Sequence, residues 1–333
     1  MKRSLTVMLL AALLALAAGG EAQPPQKLVF ALNWFAVGDH AAYWVALDRG
    51  YYKARGLDVE LQNSKGSGDS IAKVDTGRAD LGLADAVVVI PRVAQGAKIK
   101  IVGAVFDNTP LNIWTRKDTG ITTPKDLEGK TLAAPPGDSQ RQLFPAFARV
   151  NGFDAGKVKW LTIEPAAKFV ALAEKRVDAV PDYTTGQPFW EKAVGKDNLV
   201  RMPWHQYGFD TYSMSIMASE KTINERTKVL RDFLAASYLG WRDVMDNPKA
   251  ALEIFKKRVP DIDLTLIEPN MMLGLELMRT ERYAKNGIGW MDRGKMCGTV
   301  EFINTYMPDM PRKVGCDEVF TNEFLTRVEP PRR

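Results

Sequence analysis

The chain has 333 residues, 46% of them hydrophobic and 26% charged, a globular balance that excludes extended disorder. Its net charge of +5 is spread along the sequence, and the longest basic run is only Lys256-Lys257-Arg258, so no basic stripe supports nucleic-acid binding. The length exceeds what one hydrophobic core ordinarily holds and suits two lobes.

At the N-terminus, Lys2 and Arg3 precede an uncharged apolar run from Leu5 to Ala18, followed by Gly20-Glu21-Ala22. This is the layout of a secretory signal peptide over residues 1–22, with cleavage after Ala22. The run is shorter than the roughly 20 residues of an ordinary spanning helix, although a short anchor with snorkelling flanks would share the pattern. No Cys stands near the cleavage point to carry a lipid. The mature protein is expected free in the periplasm.

Lys27 to Ala31 reads as a first strand, Ala41 to Arg49 as a helix closed by Gly50, and the alternating Leu57-Asp58-Val59-Glu60-Leu61 as a second strand. Gly66 to Ser70 is a loop in which Asp69 or Ser70 caps a helix through Val74. Leu81 to Ala84 is a strand, Val87 to Gln95 a helix and Lys100 to Phe106 a strand. The alternation predicts a mostly parallel sheet covered by helices. A second unit starts near Leu111: strands at Asn112 to Arg116, Thr131 to Ala134, Lys157 to Ile163 and Val177 to Val180, a capped turn at Thr123 to Gly129, and helices after Ser139 and from Ala166 to Lys175.

The units echo each other. Gly77-Arg78-Ala79-Asp80-Leu81-Gly82 in the first corresponds to Lys175-Arg176-Val177-Asp178-Ala179-Val180 in the second. The echo reads as duplicated lobes, or as coincidence between two ordinary βαβ folds. After a strand at Ser213 to Ala218 come long helices at about Thr227 to Asp246, Pro248 to Arg258 and Leu264 to Lys285, punctuated by Pro260 and Pro269. This third segment is expected to return to the first lobe, giving lobe 1 as 27–110 with 213–325 and lobe 2 as 111–212. The only two cysteines, Cys297 and Cys316, favour a disulfide in an oxidising compartment, with buried free thiols as the alternative.

Phe30-Ala31-Leu32-Asn33-Trp34-Phe35, Asp39-His40, Val45 to Lys53 and Gly56-Leu57-Asp58-Val59 resemble the opening of the NMT1/THI5-like family. Thr76 to Gly82 resembles its next signature, and Asp126-Leu127-Glu128-Gly129-Lys130-Thr131 the start of the second lobe in many importer-associated binding proteins. The resemblance implies a type II periplasmic binding-protein fold: two α/β lobes with parallel sheets, two crossing strands near Pro110–Asn112 and Asp210–Ser213, and a ligand cleft between. It also implies an ABC importer, with permease and ATPase subunits, as partner. The family binds thiamine-precursor pyrimidines, and relatives bind riboflavin, sulfonates, taurine or nitrate.

Loops at the carboxyl ends of parallel strands form the crevice in such lobes. Asn33, Trp34 and Phe35 follow the first strand; Trp34 either stacks a flat heterocycle or packs in the core, and Asn33 offers donor and acceptor. His40 and Tyr43, at the entry of the next helix, are ligand hydrogen-bonders or structural groups. Ser67, and Asp138, Ser139 and Gln140 in the second lobe, stand where helix N-termini suit an anionic group, unless Asp69 and Asp138 cap those helices themselves. Arg141 either clamps an anion or is solvated. Asp85, Asp107 and Asp182 follow strands and would match the N–H donors of a pyrimidine better than a sulfonate; caps or salt bridges are the alternative for each. Tyr183, Trp204, Tyr207 and Asp210 complete the candidates.

The first expectation is therefore a monomeric, non-enzymatic binding protein without cofactor or metal, its ligand a pyrimidine or similar heterocycle. A sulfonate or aromatic carboxylate is the next choice, and a sensory receptor partner is the alternative to an importer. The family also contains a cytoplasmic thiamine-pyrimidine synthase that consumes its own His and a pyridoxal cofactor. His40 stands where the family opening carries a His, but this chain has an export signal and no clustered-cysteine motif like that enzyme's. No Ser-His-Asp order or Walker-type loop occurs.

Overall fold

The computed structural model describes residues 24–331; the signal-peptide expectation lies outside the described residues. Strands and helices alternate as β1 Gln26–Ala31, α1 Ala41–Asp48, β2 Leu57–Gln62, α2 Ser67–Asp75, β3 Leu81–Asp85, α3 Ala86–Ala94 and β4 Ile99–Ala104. The chain continues with β5 Leu111–Arg116, β6 Thr131–Ala133, α4 Ser139–Val150, β7 Lys159–Leu161, α5 Ala167–Ala173, β8 Ala179–Tyr183, α6 Gln187–Val194 and β9 Leu199–Pro203. It closes with β10 Met214–Ser219, α7 Glu220–Glu225, α8 Thr227–Asp246, α9 Pro248–Arg258, α10 Leu264–Met278, α11 Glu281–Asn286, α12 Arg293–Tyr306 and α13 Cys316–Val319.

Two five-stranded sheets define two lobes, with strand orders β2-β1-β3-β10-β4 in lobe 1 and β7-β6-β8-β5-β9 in lobe 2. In lobe 1, β1 runs parallel to β2 and β3, while β10 is antiparallel to both β3 and β4. In lobe 2, β6 is parallel to β7 and β8, and β5 is antiparallel to β8 and β9. The two reversed strands, β5 and β10, are those that follow a passage between lobes. A chain leaving one sheet at the carboxyl ends of its strands enters the other sheet at the same cleft-facing end, so its first strand runs backward. Both passages therefore border the cleft.

Position in the sheet explains the strand sequences. β2 is an edge strand, and its Leu57, Asp58, Val59 and Glu60 alternate buried and exposed. β3 is central and all five of its residues are buried. The carboxyl end of β3 thus points Asp85 into the interior beside the cleft.

The C-terminal helices cover lobe 1. Phe233 of α8 stacks on Tyr52 at 5.4 Å between ring centroids, and Trp241 meets Tyr43 edge-on at 6.2 Å. Cys297 and Cys316 are joined in a disulfide that ties α12 to α13, and Phe320 bridges to Ile101 of β4.

Two local expectations are corrected. α2 begins at Ser67 with Gly66 at its N-cap, so neither Asp69 nor Ser70 caps it; the Asp69 carboxylate accepts from the Lys65 amide at 3.0 Å. The helix expected over Leu264 to Lys285 runs through Pro269 and breaks after Met278, where Thr280 caps α11. The helices α6, α7, α12 and α13 and the strand β9 have no counterpart among the sequence expectations.

Candidate functional site

A cavity of ≈ 60 Å³ lies between the lobes at the carboxyl ends of the parallel strands. Of the candidate residues, Asn33, Trp34, Phe35, His40 and Ser67 line it from lobe 1. Asp138, Ser139, Gln140, Asp182 and Tyr183 line it from lobe 2.

A directed hydrogen-bond chain crosses the cleft. The Val37 amide donates to His40 Nδ1 at 3.5 Å, which leaves Nε2 to carry the proton and donate to Asn33 Oδ1 at 2.9 Å. Asn33 Nδ2 then donates to the Tyr183 hydroxyl at 3.3 Å, and Tyr183 donates to Asp85 Oδ1 at 2.8 Å. Each link polarises the next. Burial lowers the His40 pKa to about 3, so the imidazole is neutral and fixed in one tautomer.

The lobes touch through backbone as well. The Gly68 amide of α2 donates to the Gly137 carbonyl at 3.0 Å. A Cβ on Gly66 would lie 2.1 Å from that same oxygen, and Gly66 also has φ +124°, so glycine is required twice over. Ser139 donates to Ser67 at 2.8 Å between the two helix N-termini. The N-terminal groups that suit an anion are thus partly used to hold the lobes together.

Asp138 caps α4 by accepting from the Arg141 amide at 3.1 Å and pairs with the buried Lys168 at 3.2 Å. The Lys168 ammonium stands 4.8 Å from the centroid of the Trp34 ring, so one face of that indole is occupied from the opposite lobe. Asp182 accepts from the Tyr183 amide at 2.8 Å and from Trp190 Nε1 at 2.9 Å. Burial raises its pKa, opposed chiefly by the Lys168 charge. Arg141 is neither clamp nor solvated tail: it donates to the Ala134 carbonyl and Thr162 within lobe 2.

Like Arg141, six further candidates stand outside the cavity lining. Tyr43 is fully buried between Phe30 and Trp241 in the core of lobe 1. Asp85 lies beneath the cavity, accepting from Ser67, Ser213 and Tyr183; burial raises its pKa against these donors. Asp107 sits on the first passage between lobes, held by Arg282 at 2.7 Å and Thr280 at 2.9 Å. Asp210 sits on the second, paired with Lys295 at 3.4 Å, and Lys295 also donates to Asn108 at 2.9 Å. Tyr207 belongs to the turn Trp204–Tyr207 on lobe 2, where its carbonyl accepts from Asn151, and Trp204 stacks on Phe147 in the core.

The cavity also contains residues not singled out from the sequence, among them Asp39, Phe169, Thr185, Phe189 and Asn270. Asn270 shares α10 with the polar Thr265, Glu268 and Glu276, so nothing local marks it out. Phe169 and Phe189 carry no signal of their own, because only the closed cleft brings α5 and α6 to Trp34.

Two α/β lobes closed over a cavity, joined by two passages at the carboxyl ends of their strands, define the periplasmic binding-protein fold. The chain belongs to the NMT1/THI5 like family, whose pattern matches residues 37–251. It is 25% identical over 316 residues to the riboflavin-binding protein RibY of Chloroflexus aurantiacus, covering 91% of this chain and 88% of that one. It is 24% identical over 261 residues to the formylaminopyrimidine-binding protein of Halalkalibacterium halodurans, covering 77% and 78%. The alkanesulfonate-binding protein SsuA of Xanthomonas axonopodis pv. citri shares the fold with a TM-score of 0.70 at 14% identity, over 90% of this chain and 99% of that one. The match to the 4-amino-5-hydroxymethyl-2-methylpyrimidine phosphate synthase of Schizosaccharomyces pombe spans 106 residues, 32% of this chain. Among the described residues no helix is long and apolar enough to cross a membrane.

Proposed function

We propose that the protein is the extracytoplasmic solute-binding component of an ABC importer and captures a flat nitrogen heterocycle by hinge closure. The observation that carries this reading is the composition of the cavity. Trp34, Phe35, Phe169, Tyr183 and Phe189 supply aromatic surface, while Asp39 Oδ1 and Asn270 Oδ1 are buried acceptor oxygens without a protein partner, beside the engaged oxygens of Asn33 and Asp182. No Lys or Arg is among the lining residues, and the nearby Lys168 is already paired with Asp138. Such a site favours a ring rich in N–H donors over a sulfonate or carboxylate. A pyrimidine thiamine precursor is the first candidate, and the formylaminopyrimidine-binding relative supports it.

A second reading, riboflavin, is favoured by the longer alignment with the riboflavin-binding relative. Its isoalloxazine would use the same aromatic walls. A synthase-type activity has less support: the synthase match covers a third of the chain, and His40 is held between Val37 and Asn33.

We assign lobe 1 to 27–110 with 213–325, lobe 2 to 111–212, and residues 1–22 to a signal peptide. The Cys297–Cys316 bond fits the oxidising periplasm that such a leader would reach. The chain acts as a monomer that docks on the permease when closed, because the cavity is complete within one copy.

The deciding experiment is mass spectrometry of ligand released from purified protein, followed by thermal shift with formylaminopyrimidine, riboflavin and an alkanesulfonate. Stabilisation by the pyrimidine supports the first reading and by riboflavin the second. Stabilisation by the sulfonate alone overturns both.

A further inference from the structure

Asp39 lies in the short turn Gly38–His40 that opens α1, buried against α10. Its Oδ2 accepts from the Thr185 hydroxyl of lobe 2 at 2.7 Å. Its Oδ1 has no hydrogen-bond partner, and it occupies space left free by Gly274, where a Cβ would come within 2.8 Å of it. The groups around it offer no compensating charge. Its own turn supplies the neutral His40; lobe 2 supplies Thr185, Asp182 and the Tyr183 phenol; α10 supplies the amide of Asn270; the first passage supplies Phe106. Among the described residues no Lys or Arg pairs with Asp39.

A buried carboxylate with one hydroxyl donor, one bare oxygen and a second acid across the cleft is poorly compensated as an anion. As a neutral acid it donates from Oδ2 to Thr185, and the bare Oδ1 carries no charge. Half of this environment belongs to lobe 2 and leaves when the cleft opens, admitting water. We propose that closing the cleft takes up one proton at Asp39, so that capture strengthens as the medium acidifies.

This inference rests on the reading of the protein as a hinge-closing binding protein and adds a proton to that cycle. Burial is the largest influence on the Asp39 carboxyl in the closed form, raising it from the ordinary 3.8 to about 7; Thr185 opposes and Asp182 adds to the shift. The closed form therefore binds more protons than the open form between those values. Closure is favoured as pH falls through this window, by up to about tenfold per pH unit, and levels off on either side. Asp182 contributes less to the difference, because its donors Tyr183 N–H and Trp190 both belong to its own lobe.

The test needs no ligand. The radius of gyration of the mature chain is measured by small-angle scattering from pH 4.5 to 8, for wild type, Asp39→Asn and Thr185→Val, each verified as folded by circular dichroism. Wild type is expected to become more compact as pH falls from 7.5 to 5, and Asp39→Asn to lose that dependence. Thr185→Val keeps the acid and loses the cross-lobe bond, so it should compact at lower pH while still responding to it. A radius independent of pH in wild type, or the same pH response in Asp39→Asn, overturns the proposal. Failure of formylaminopyrimidine and riboflavin to compact the protein at any pH would instead count against the ligand reading, which the ligand-free pH series does not depend on.

Discussion

The Tyr183 hydroxyl of lobe 2 donates to the buried Asp85 carboxylate of lobe 1 at 2.8 Å, and the same oxygen accepts from Asn33. One phenol from lobe 2 thus joins two polar groups of lobe 1 that would otherwise face each other across a gap. The bond joins the two lobes, so under the proposed hinge closure it is lost when the cleft opens. Removing one partner of a buried hydrogen bond leaves the other unsatisfied at a cost of about 1–3 kcal/mol, and on the hinge-closure reading that cost falls on the closed state.

Tyr183→Phe should therefore weaken apparent ligand affinity by about tenfold or more. The ligand-free protein should stay folded and become less compact in small-angle scattering. An unchanged radius and affinity would show that the Tyr183–Asp85 bond does not govern closure.

Trp34 faces the cavity with one side of its ring under the Lys168 ammonium. Trp34→Ala removes both the aromatic wall and this cross-lobe contact. Affinity should fall at least roughly tenfold without loss of the fold. Calorimetry giving the wild-type affinity for the folded variant would remove Trp34 from the site.

Gly66 meets the Gly137 carbonyl of the other lobe. Gly66→Ala should hold the lobes apart and lower affinity by more than its backbone strain explains. Gly77→Ala is the control, since Gly77 also has positive φ (+72°) but nothing within 4 Å of the new Cβ. Equal affinities in the two variants would mean that contact across the cleft is not the cause.

The Cys297–Cys316 bond closes a sequence separation of 19 residues, and neither cysteine lines the cavity. Replacing both cysteines by serine should cost about 3 kcal/mol of stability in denaturant unfolding. Ligand affinity in the folded variant should be unchanged. A matching loss of affinity would mean that α12 and α13 act on the hinge, through Lys295 and its contacts to both passages.

Much of the architecture was legible in the sequence because strand and helix patterns are local. The alternation of Leu57 to Leu61 and the spans of α8 and α9 each depend on neighbours within one or two turns, as does the cap at Asp138, which the sequence offers only as an alternative to an anion site. The number of cysteines and the expected oxidising compartment favour the Cys297–Cys316 bond over free thiols, and the structure contains it. Asn33, Trp34, Ser67, Ser139 and Tyr183 were chosen because strand ends and helix starts collect at one edge of a parallel sheet, and that edge does line the cavity.

Tertiary structure decided what position along a strand cannot encode. Asp85, Asp107 and Asp182 have the same local setting after or at the end of a strand. One anchors Tyr183 beneath the cavity, one is held by Arg282 on a passage between lobes, and one faces the cavity. Likewise Tyr43 turns into the core and Asp39, four residues earlier, into the cleft. These roles are set by partners more than a hundred residues away, such as Thr185 for Asp39 and Arg282 for Asp107. What surrounds a carboxylate depends on which charges and donors the fold brings to it from distant segments, and the sequence by itself orders only the residues beside it.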